Sequence, residues 1–468
     1  MIVPVPLEAR VPKTWSHRHL LQVSTSTILL FLSGCGELRS PSDENVPEGH
    51  ASAVAQPVLP LISQAPLLPL DRPLEEGEMI AAVLARNPTL VAMQASWSAA
   101  QSRYPQESAF PEPMLSYELA PLSLRESTPG MDVTLTQPIP WSQKLHGRGD
   151  AARADADVAG ADLVSSRLQL ISEAKFAFAD YWLATGEIAV NQHEHDIVSQ
   201  INAATLSSYG SGQGGRAAAL QAQAMLNELD HHAILLEHAR NITVARINLL
   251  VHRPSETAVP PPPRALPDPV SVPDIPELAR LASERRPDLA AAAARRRRAV
   301  AVNGVVRAQD LPDISVSVGY NSMWTDTDMR FTLGVNVPLP VNRDLHAAAR
   351  DEAQAEIQRA DAELAAIGDR VQYEVREANE RVQESWHIVH LLRERMVPTA
   401  QAMVSTTEAG IASGGRDYAA LLTAQNELVD MQWQEQQALT DFHHHLADLE
   451  RIVGGPLPQT PASLKEQP

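Results

Sequence analysis

Apolar and polar residues alternate with a period of two along two short segments in the second half of the chain. Such alternation predicts β-strands with one apolar face. Each segment spans about nine residues, the length of a tilted strand that crosses a membrane. The apolar positions are Ile314, Val316, Val318 and Tyr320 in the first segment and Phe331, Leu333, Val335 and Val337 in the second. The residues that we expect to face the membrane are Ile314, Val316, Val318, Phe331, Leu333 and Val335.

A weaker version of this pattern occurs in the first half, at Leu115, Tyr117 and Leu119 and then at Val133 and Leu135. A β-hairpin packed on a soluble core would alternate in the same way, so the pattern alone leaves both interpretations open. Four strands cannot close a barrel in lipid, because their unpaired edges would leave backbone groups without hydrogen bonds. A barrel would therefore be shared between chains, and a trimer with twelve strands is the simplest closed solution.

Two long segments, 142–208 and 343–413, carry a helical pattern, and only Pro398 interrupts the second. At the rise of an α-helix each would be on the order of 100 Å long, far beyond a typical globular helix. Heptad-like spacing at Leu163, Leu170 and Tyr181 predicts coiled-coil packing. Ordinary bundle helices would explain this periodicity equally well, but they would not explain the length.

The two halves of the chain resemble each other, which indicates one structural unit used twice. We expect each copy to contain a helix, two strands, a very long helix, a glycine-rich turn and a returning helix. The recurring segments are 86–90 and 285–289, the Pro-x-Pro segments 138–140 and 338–340, and the glycine-rich turns 212–216 and 414–416. The predicted divisions are 1–34 (signal peptide), 35–75 (lipid-anchored tether), 76–256 (first repeat), 257–276 (proline-rich bridge), 277–456 (second repeat) and 457–468 (tail).

The N-terminus has a basic stretch, an apolar run and then Leu32, Ser33, Gly34 and Cys35, which resembles a bacterial lipobox. The run is too short for a stable membrane span, so it is interpreted as a cleaved signal sequence. Cys35 is the only cysteine, which excludes an internal disulfide. Its position predicts acylation, with Gly36 after it favouring the outer membrane over the inner membrane.

Composition narrows the function further. Aromatic residues make up only 4% of the chain, which favours long packed helices over dense globular cores. The formal net charge of −19 argues against a nucleic-acid partner. The run Arg295 to Arg298 is therefore interpreted as a charged helix face that pairs with neighbouring carboxylates.

With these features in order, the chain resembles the TolC-like outer-membrane efflux proteins over residues 76–456. The resemblance implies a mixed fold: a long antiparallel helical tunnel, plus four strands per chain in a shared transmembrane barrel. It implies a homotrimer in outer-membrane lipid, served by a periplasmic adaptor protein and an inner-membrane pump of the resistance-nodulation-division (RND) type. The residues that carry it are Asn87 and Pro88, the two Pro-x-Pro segments, Tyr209, Gly212, Leu220, Ala222, Gln223 and Leu226, and then Gly414, Leu422, Ala424, Gln425 and Leu428.

The resemblance also implies that the turns 210–216 and 410–417 form the periplasmic tip. We expect glycines there because the reversal requires positive φ angles. The acidic residue that the family commonly carries six positions beyond the tip glycine is absent, since Ala218 and Ala420 stand there. The residues expected to form the tip or gate are Tyr209, Gly212, Arg216, Gly414, Arg416 and Asp417.

Two segments, 111–114 and 137–145, look like the heavy-metal-exporting branch of this family, so metal cations are the expected cargo. Multidrug or other organic export by the same fold is the alternative. His443, His444 and His445 are metal-ligand types, but consecutive residues on a helix point to different faces, so no metal site or cofactor is predicted. No nucleotide-binding loop, nucleophile elbow or zinc-protease motif is present, so an enzyme is not expected.

A different class of protein shares part of this pattern. A lipid-anchored helical scaffold that acts only through coiled-coil partners would have the same lipobox and long helices. Such a scaffold would not need two pairs of alternating strands placed at equivalent positions in the two halves.

Overall fold

The computed structural model describes residues 68–120, 130–211, 215–268, 272–322, 330–413 and 417–458. These residues belong to one compact unit, Leu59–Pro468. The predictions for Cys35, Gly212, Gly414 and Arg416 lie outside the described residues. Among the described residues, none of the helices combines the length and apolar character of a membrane span.

Each half opens with short helices broken at a proline. The first half has α1 (Glu76–Arg86), α2 (Pro88–Gln101) and α3 (Arg103–Ser108), and the second has α6 (Ile275–Arg285) and α7 (Pro287–Ala308). The prediction of a single helix before the strands was wrong. Asn87 and Arg286, the residues before the prolines, adopt extended backbone conformations, because a proline ring disfavours the helical conformation of the residue before it.

Four strands form one antiparallel sheet in the order of the chain. They are β1 (Met114–Ala120), β2 (Gly130–Ile139), β3 (Ile314–Asn321) and β4 (Phe331–Asn336). The strand predicted to reach Val337 ends one residue earlier. The central pair β2 and β3 joins the two halves of the chain, so the sheet is shared equally between them.

The long helices follow the sheet. In the first half α4 (Ser142–Gly210) runs without interruption for 69 residues and returns as α5 (Arg216–Leu250). In the second half the outgoing helix is divided into α8 (Arg343–Leu391), a π-helical turn (Leu392–Met396) and α9 (Val397–Ala412). The chain then returns as α10 (Tyr418–Val453). Both long outgoing helices begin within one residue of the predicted positions.

A single strip of helices carries the main apolar core. Near the sheet α7 packs between α4 and α8, while farther along α10 packs between α4 and the α8–α9 segment. Leu170, Ala177 and Tyr181 of α4 are buried in this core with Phe442 of α10. A smaller apolar cluster, here called the tip cluster, lies toward the ends of the long helices. Its members are Val198, Ile201, Ala222, Leu226, Leu229, Val404, Leu421, Leu422 and Ala424.

Candidate functional site

The sheet has one face built almost entirely from apolar side chains. Leu115, Leu135, Val318 and Leu333 are register partners across all four strands. Because residues two apart in a strand share a face, the neighbouring row continues the same surface. That row consists of Tyr117, Val133, Tyr320 and Phe331.

This apolar face has few protein partners. Leu333 is 77% exposed and Phe331 is 73% exposed, and the two lie on β4. Large apolar side chains in the helical body are mostly buried instead. Within the described residues, the side chains of β3 and β4 that were predicted to share a face do share it, namely Ile314, Val316, Val318, Phe331, Leu333 and Val335.

The opposite face is small and polar. Ser116, Thr134, Gly319 and Thr332 form one row across the sheet. A Cβ atom added at Gly319 would lie 2.7 Å from Oγ1 of Thr332 and 2.8 Å from Oγ1 of Thr134. A larger residue at the centre of the polar row would therefore require Thr134 and Thr332 to shift. Asp132 lies on the same face and accepts hydrogen bonds from Thr134 and Asn321 at 2.9 Å each.

Both edges of the sheet are open within the described part of the chain. β1 pairs only with β2, and β4 pairs only with β3. An open edge that exposes backbone donors and acceptors is a template for pairing with another strand. The edge strands come from opposite halves of the chain, so β4 of one copy could pair with β1 of the next.

A buried lysine fixes the base of the sheet to the long helix. Lys144 in the first turn of α4 donates to Oδ1 of Asp313 at 2.7 Å and to the carbonyl of Leu311 at 2.8 Å. The indole of Trp141 donates to the carbonyl of Pro312 at 2.7 Å. Trp141 and Lys144 belong to the segment that suggested metal export, and here they hold the chain that enters β3.

The described part of the tip differs from the sequence prediction. Gly210 and Gly410 are helical rather than turn residues, and Gly215 has a φ of −80°. The expectation of positive φ angles was therefore wrong for these three glycines. The first helix ends at Gly210 and the second at Ala412, with Ser211 and Ser413 as their C-cap residues, so the reversals begin later than the first glycine of each turn.

Asp417 has a structural role that the sequence analysis missed. Its Oδ1 accepts a hydrogen bond from the backbone N–H of Ala420 at 3.0 Å and caps α10. A carboxylate at this position also interacts favourably with the helix dipole. Tyr209 is exposed near the end of α4, and Arg216 is the exposed first residue of α5.

The three consecutive histidines of α10 point to separate partners, as helix geometry predicts. His443 contacts the carbonyl of Pro267, His444 contacts Asp180 at 3.0 Å, and His445 contacts the hydroxyl of Ser385. Burial lowers the pKa of His443 and of His445. The described residues contain no group of three or more ligand side chains arranged to hold a metal ion.

The arginine run forms the predicted charged helix face. Arg296 pairs with Asp361, Arg297 with Asp157 and Arg298 with Asp155. These pairs connect α7 to both α4 and α8. Solvent-exposed pairs of this kind contribute little stability individually, so their main effect is to neutralise charge where three helices meet.

The sequence analysis also missed a layer of buried polar residues between α4, α5 and α10. Glu194 of α4 is 2% exposed, and its Oε2 accepts a hydrogen bond from Nε2 of Gln425 at 3.0 Å. Asn191, one turn earlier, donates to the carbonyl of Leu229 at 3.1 Å. Burial raises the pKa of Glu194 to about 7, and the hydrogen bond from Gln425 opposes that rise.

Comparison with known proteins identifies the class of protein that this geometry belongs to. The model of the outer membrane efflux protein family matches residues 79–251 and 278–455. The chain therefore belongs to this family, which is a family of transport channels. The two matched segments fit the two predicted repeats. No curated protein sequence is significantly similar to the chain.

Solved structures of outer-membrane channels share the fold. The chain is 19% identical to the outer-membrane channel OprN, with a TM-score of 0.71 over 81% of this chain and 90% of that one. It is 16% identical to CusC, with a TM-score of 0.70 over 81% and 92% of the two chains. It is 17% identical to the open state of MtrE from Neisseria gonorrhoeae, with a TM-score of 0.69 over 82% and 90%.

Proposed function

We propose that three copies of this chain form an outer-membrane channel through which a tripartite efflux system exports its substrate. The observation that carries this proposal is the sheet, which combines an exposed apolar face, a small polar face and two open edges. Closing the edges by β4 to β1 pairing between copies would remove every unpaired strand. The apolar face would then meet lipid, and the polar face would line the pore.

The helical strip supports the same closure. α5 packs mainly on α4 and lies at one side of the strip, while α8 and α9 lie at the other. The outward side of α5 carries a series of exposed apolar residues at roughly helical spacing. They are Ile234, Leu235, Ile242 and Leu249. In a closed ring the α8–α9 segment of the next copy would cover them, so the tunnel and the barrel would close with the same symmetry.

Heat-modifiable migration tests the channel against the alternative of a helical scaffold. A closed barrel resists detergent until it is heated, so the membrane-extracted protein should migrate as a trimer before boiling and as a monomer afterwards. The same preparation should conduct ions in planar bilayers. A monomer without conductance, or a trimer without conductance, would support the scaffold instead.

We propose that Cys35 is acylated after signal cleavage and anchors the mature chain to the membrane. Cys35→Ala should abolish the incorporation of labelled palmitate, and persistent label would show that this assignment is wrong. Because a barrel anchors itself, the variant should retain part of its outer-membrane insertion.

The proposal also covers the exported substrate and the partner proteins. We infer that a periplasmic adaptor binds the helical tips and that an inner-membrane RND pump supplies the substrate. Heavy-metal cations are the favoured cargo, on the sequence resemblance of segments 111–114 and 137–145, and organic compounds are the alternative. Deletion of the gene should sensitise cells to metal salts in the first case and to organic drugs in the second.

A further inference from the structure

Only some of the polar atoms in the layer formed by Asn191, Glu194 and Gln425 have hydrogen-bond partners. Oε1 of Glu194, Oε1 of Gln425 and Oδ1 of Asn191 are buried, and within the described residues none of the three atoms has a hydrogen-bond partner. The three residues are each at least 96% buried. Buried polar atoms without partners cost free energy, so a cluster of three in one layer requires an explanation.

All three unsatisfied atoms are acceptors. A charged Glu194 would leave all three acceptors without a donor, because a carboxylate only accepts hydrogen bonds. A protonated carboxyl group instead supplies one O–H donor. A single proton on Oε1 of Glu194 would therefore give the layer a donor for Gln425 or Asn191 while the existing bond from Gln425 to Oε2 remains.

We propose that Glu194 is a proton-binding site that controls how tightly the tip cluster packs. The position of the layer supports this coupling, because Glu194 lies between the main core and Val198 of the tip cluster along α4. The layer also connects three helices, since Glu194 contacts α10 and Asn191 contacts α5. Loss of the proton would leave a buried charge where these helices meet.

The charged residues around Glu194 do not take over its role as the buried proton-binding group. His195 of α4 pairs with Asp230 of α5 at 3.5 Å, and both are more exposed than Glu194. On α10, Glu427 is exposed and Asp430 is partly buried, and the pKa of Asp430 is raised by burial and by Glu427. Burial is the main cause of the raised pKa of Glu194, and none of these charges contributes to it.

The direction of the pH effect follows from the raised pKa. The folded helices hold neutral Glu194 below about pH 7 and charged Glu194 above it. The carboxyl group of an unfolded chain titrates near its ordinary value of 4.5. The contribution of Glu194 to stability is therefore fully present below pH 4.5 and is lost as the pH rises to about 7.

The test uses the full-length protein in detergent or lipid. Infrared difference spectra between acidic and alkaline samples should show the carbonyl band of a protonated carboxylic acid that disappears with a midpoint near pH 7. Glu194→Gln, which retains an amide able to pair with Gln425, should remove this band. Asp430→Asn, the matched control on α10, should leave both the band and its midpoint unchanged.

Hydrogen exchange measures the coupling between protonation of Glu194 and packing of the tip cluster. In the wild type, peptides from the ends of α4 and α10 should lose protection severalfold as the pH rises from 4.5 to about 7, after correction for the intrinsic exchange rate. Glu194→Gln should keep the protected state at every pH. An unchanged band in Glu194→Gln, a response that follows Asp430, or protection that is independent of pH would each overturn the proposal.

A cation is the competing ligand, because a carboxylate and two amide oxygens also suit a hard metal ion. If sodium or calcium at constant ionic strength removes the carboxylic acid band at pH 6, a cation occupies the site and the proton proposal is wrong. Bilayer conductance of the same preparations tests the channel separately, so failure of one proposal does not imply failure of the other.

Discussion

The sheet and the helical body place their apolar residues in opposite ways. Phe442 in the helical body is fully buried in the core, whereas Phe331 in the sheet is 73% exposed. In the helices most of the large apolar side chains pack against other parts of the same chain. In the sheet, among the residues that the structure describes, they form a largely exposed face. An apolar face therefore indicates packing within the chain in the helical body, and contact with an environment outside the chain in the sheet.

Replacement of the two phenylalanines should show this difference most clearly. Phe442→Ala should cost about 3–5 kcal/mol of unfolding free energy, because it leaves a cavity in a packed core. Phe331→Ala should cost much less, since the ring is largely exposed, lipid or detergent can fill the space, and the ring contact with Tyr320 is lost. Denaturant titration of both variants in one detergent measures the difference. Equal losses would contradict the contrast between the regions.

Charge on the two faces of the sheet should give the next largest effect. Val335→Arg should cost up to about 2–4 kcal/mol if the side chain lies near the middle of the membrane. Ser317→Arg, on the polar face, should change the single-channel conductance more than the stability of the trimer. Heat-modifiable migration and planar-bilayer recording separate the two outcomes. Equal loss of trimer in both variants would contradict the assigned orientation.

Within the helical body, buried and exposed ion pairs should differ. Arg286 is mostly buried and bonds to Asp288 and Glu374 at 2.6 Å each, so Arg286→Ala should cost about 1–3 kcal/mol. Arg297→Ala, which removes an exposed pair with Asp157, should cost under about 1 kcal/mol. Thermal unfolding of both variants measures this ranking, and a larger effect at Arg297 would reverse it.

The Arg286 pair also predicts a pH effect. Burial opposes the shift, but the hydrogen bonds and charge of Arg286 lower the pKa of Asp288. The stability that Asp288 contributes is therefore present at neutral pH and is lost as the pH falls through its lowered pKa. Arg286→Ala should weaken this loss at acidic pH, and Arg297→Ala should leave it unchanged.

A small change in stability is also expected at the tip. Asp417→Ala should cost about 1 kcal/mol, because it removes the cap of α10. We propose that Arg416 and Asp417 also narrow the tunnel mouth, so single-channel recordings should show larger or more frequent openings in both alanine variants. Asp417→Asn keeps a capping oxygen without the charge and separates the two roles. Unchanged conductance with intact trimers would leave Asp417 with the capping role alone.

The sequence predicted regular, periodic features well. The long helices begin where the proline-free segments begin, and Arg296, Arg297 and Arg298 pair with carboxylates as expected. Features that depend on a distant partner were missed. In the sequence, Glu194 looks like any other charged residue on a long helix. Its buried position depends on Gln425, which lies 231 residues away in the chain. The tip glycines were misassigned because composition identifies a turn without locating its first residue.

The π-helical turn at Leu392–Met396 makes the second outgoing helix sensitive to its length. The backbone N–H of Val397 bonds to the carbonyl of Leu392, five residues back, so the turn holds one residue more than an α-helix would. If the same residues wound as a regular α-helix, everything beyond the turn would be rotated by about 100°. Ala400 and Val404, now buried, would turn away from α10. Packing in this half of the chain therefore depends on the number of residues in the outgoing helix as well as on their identity.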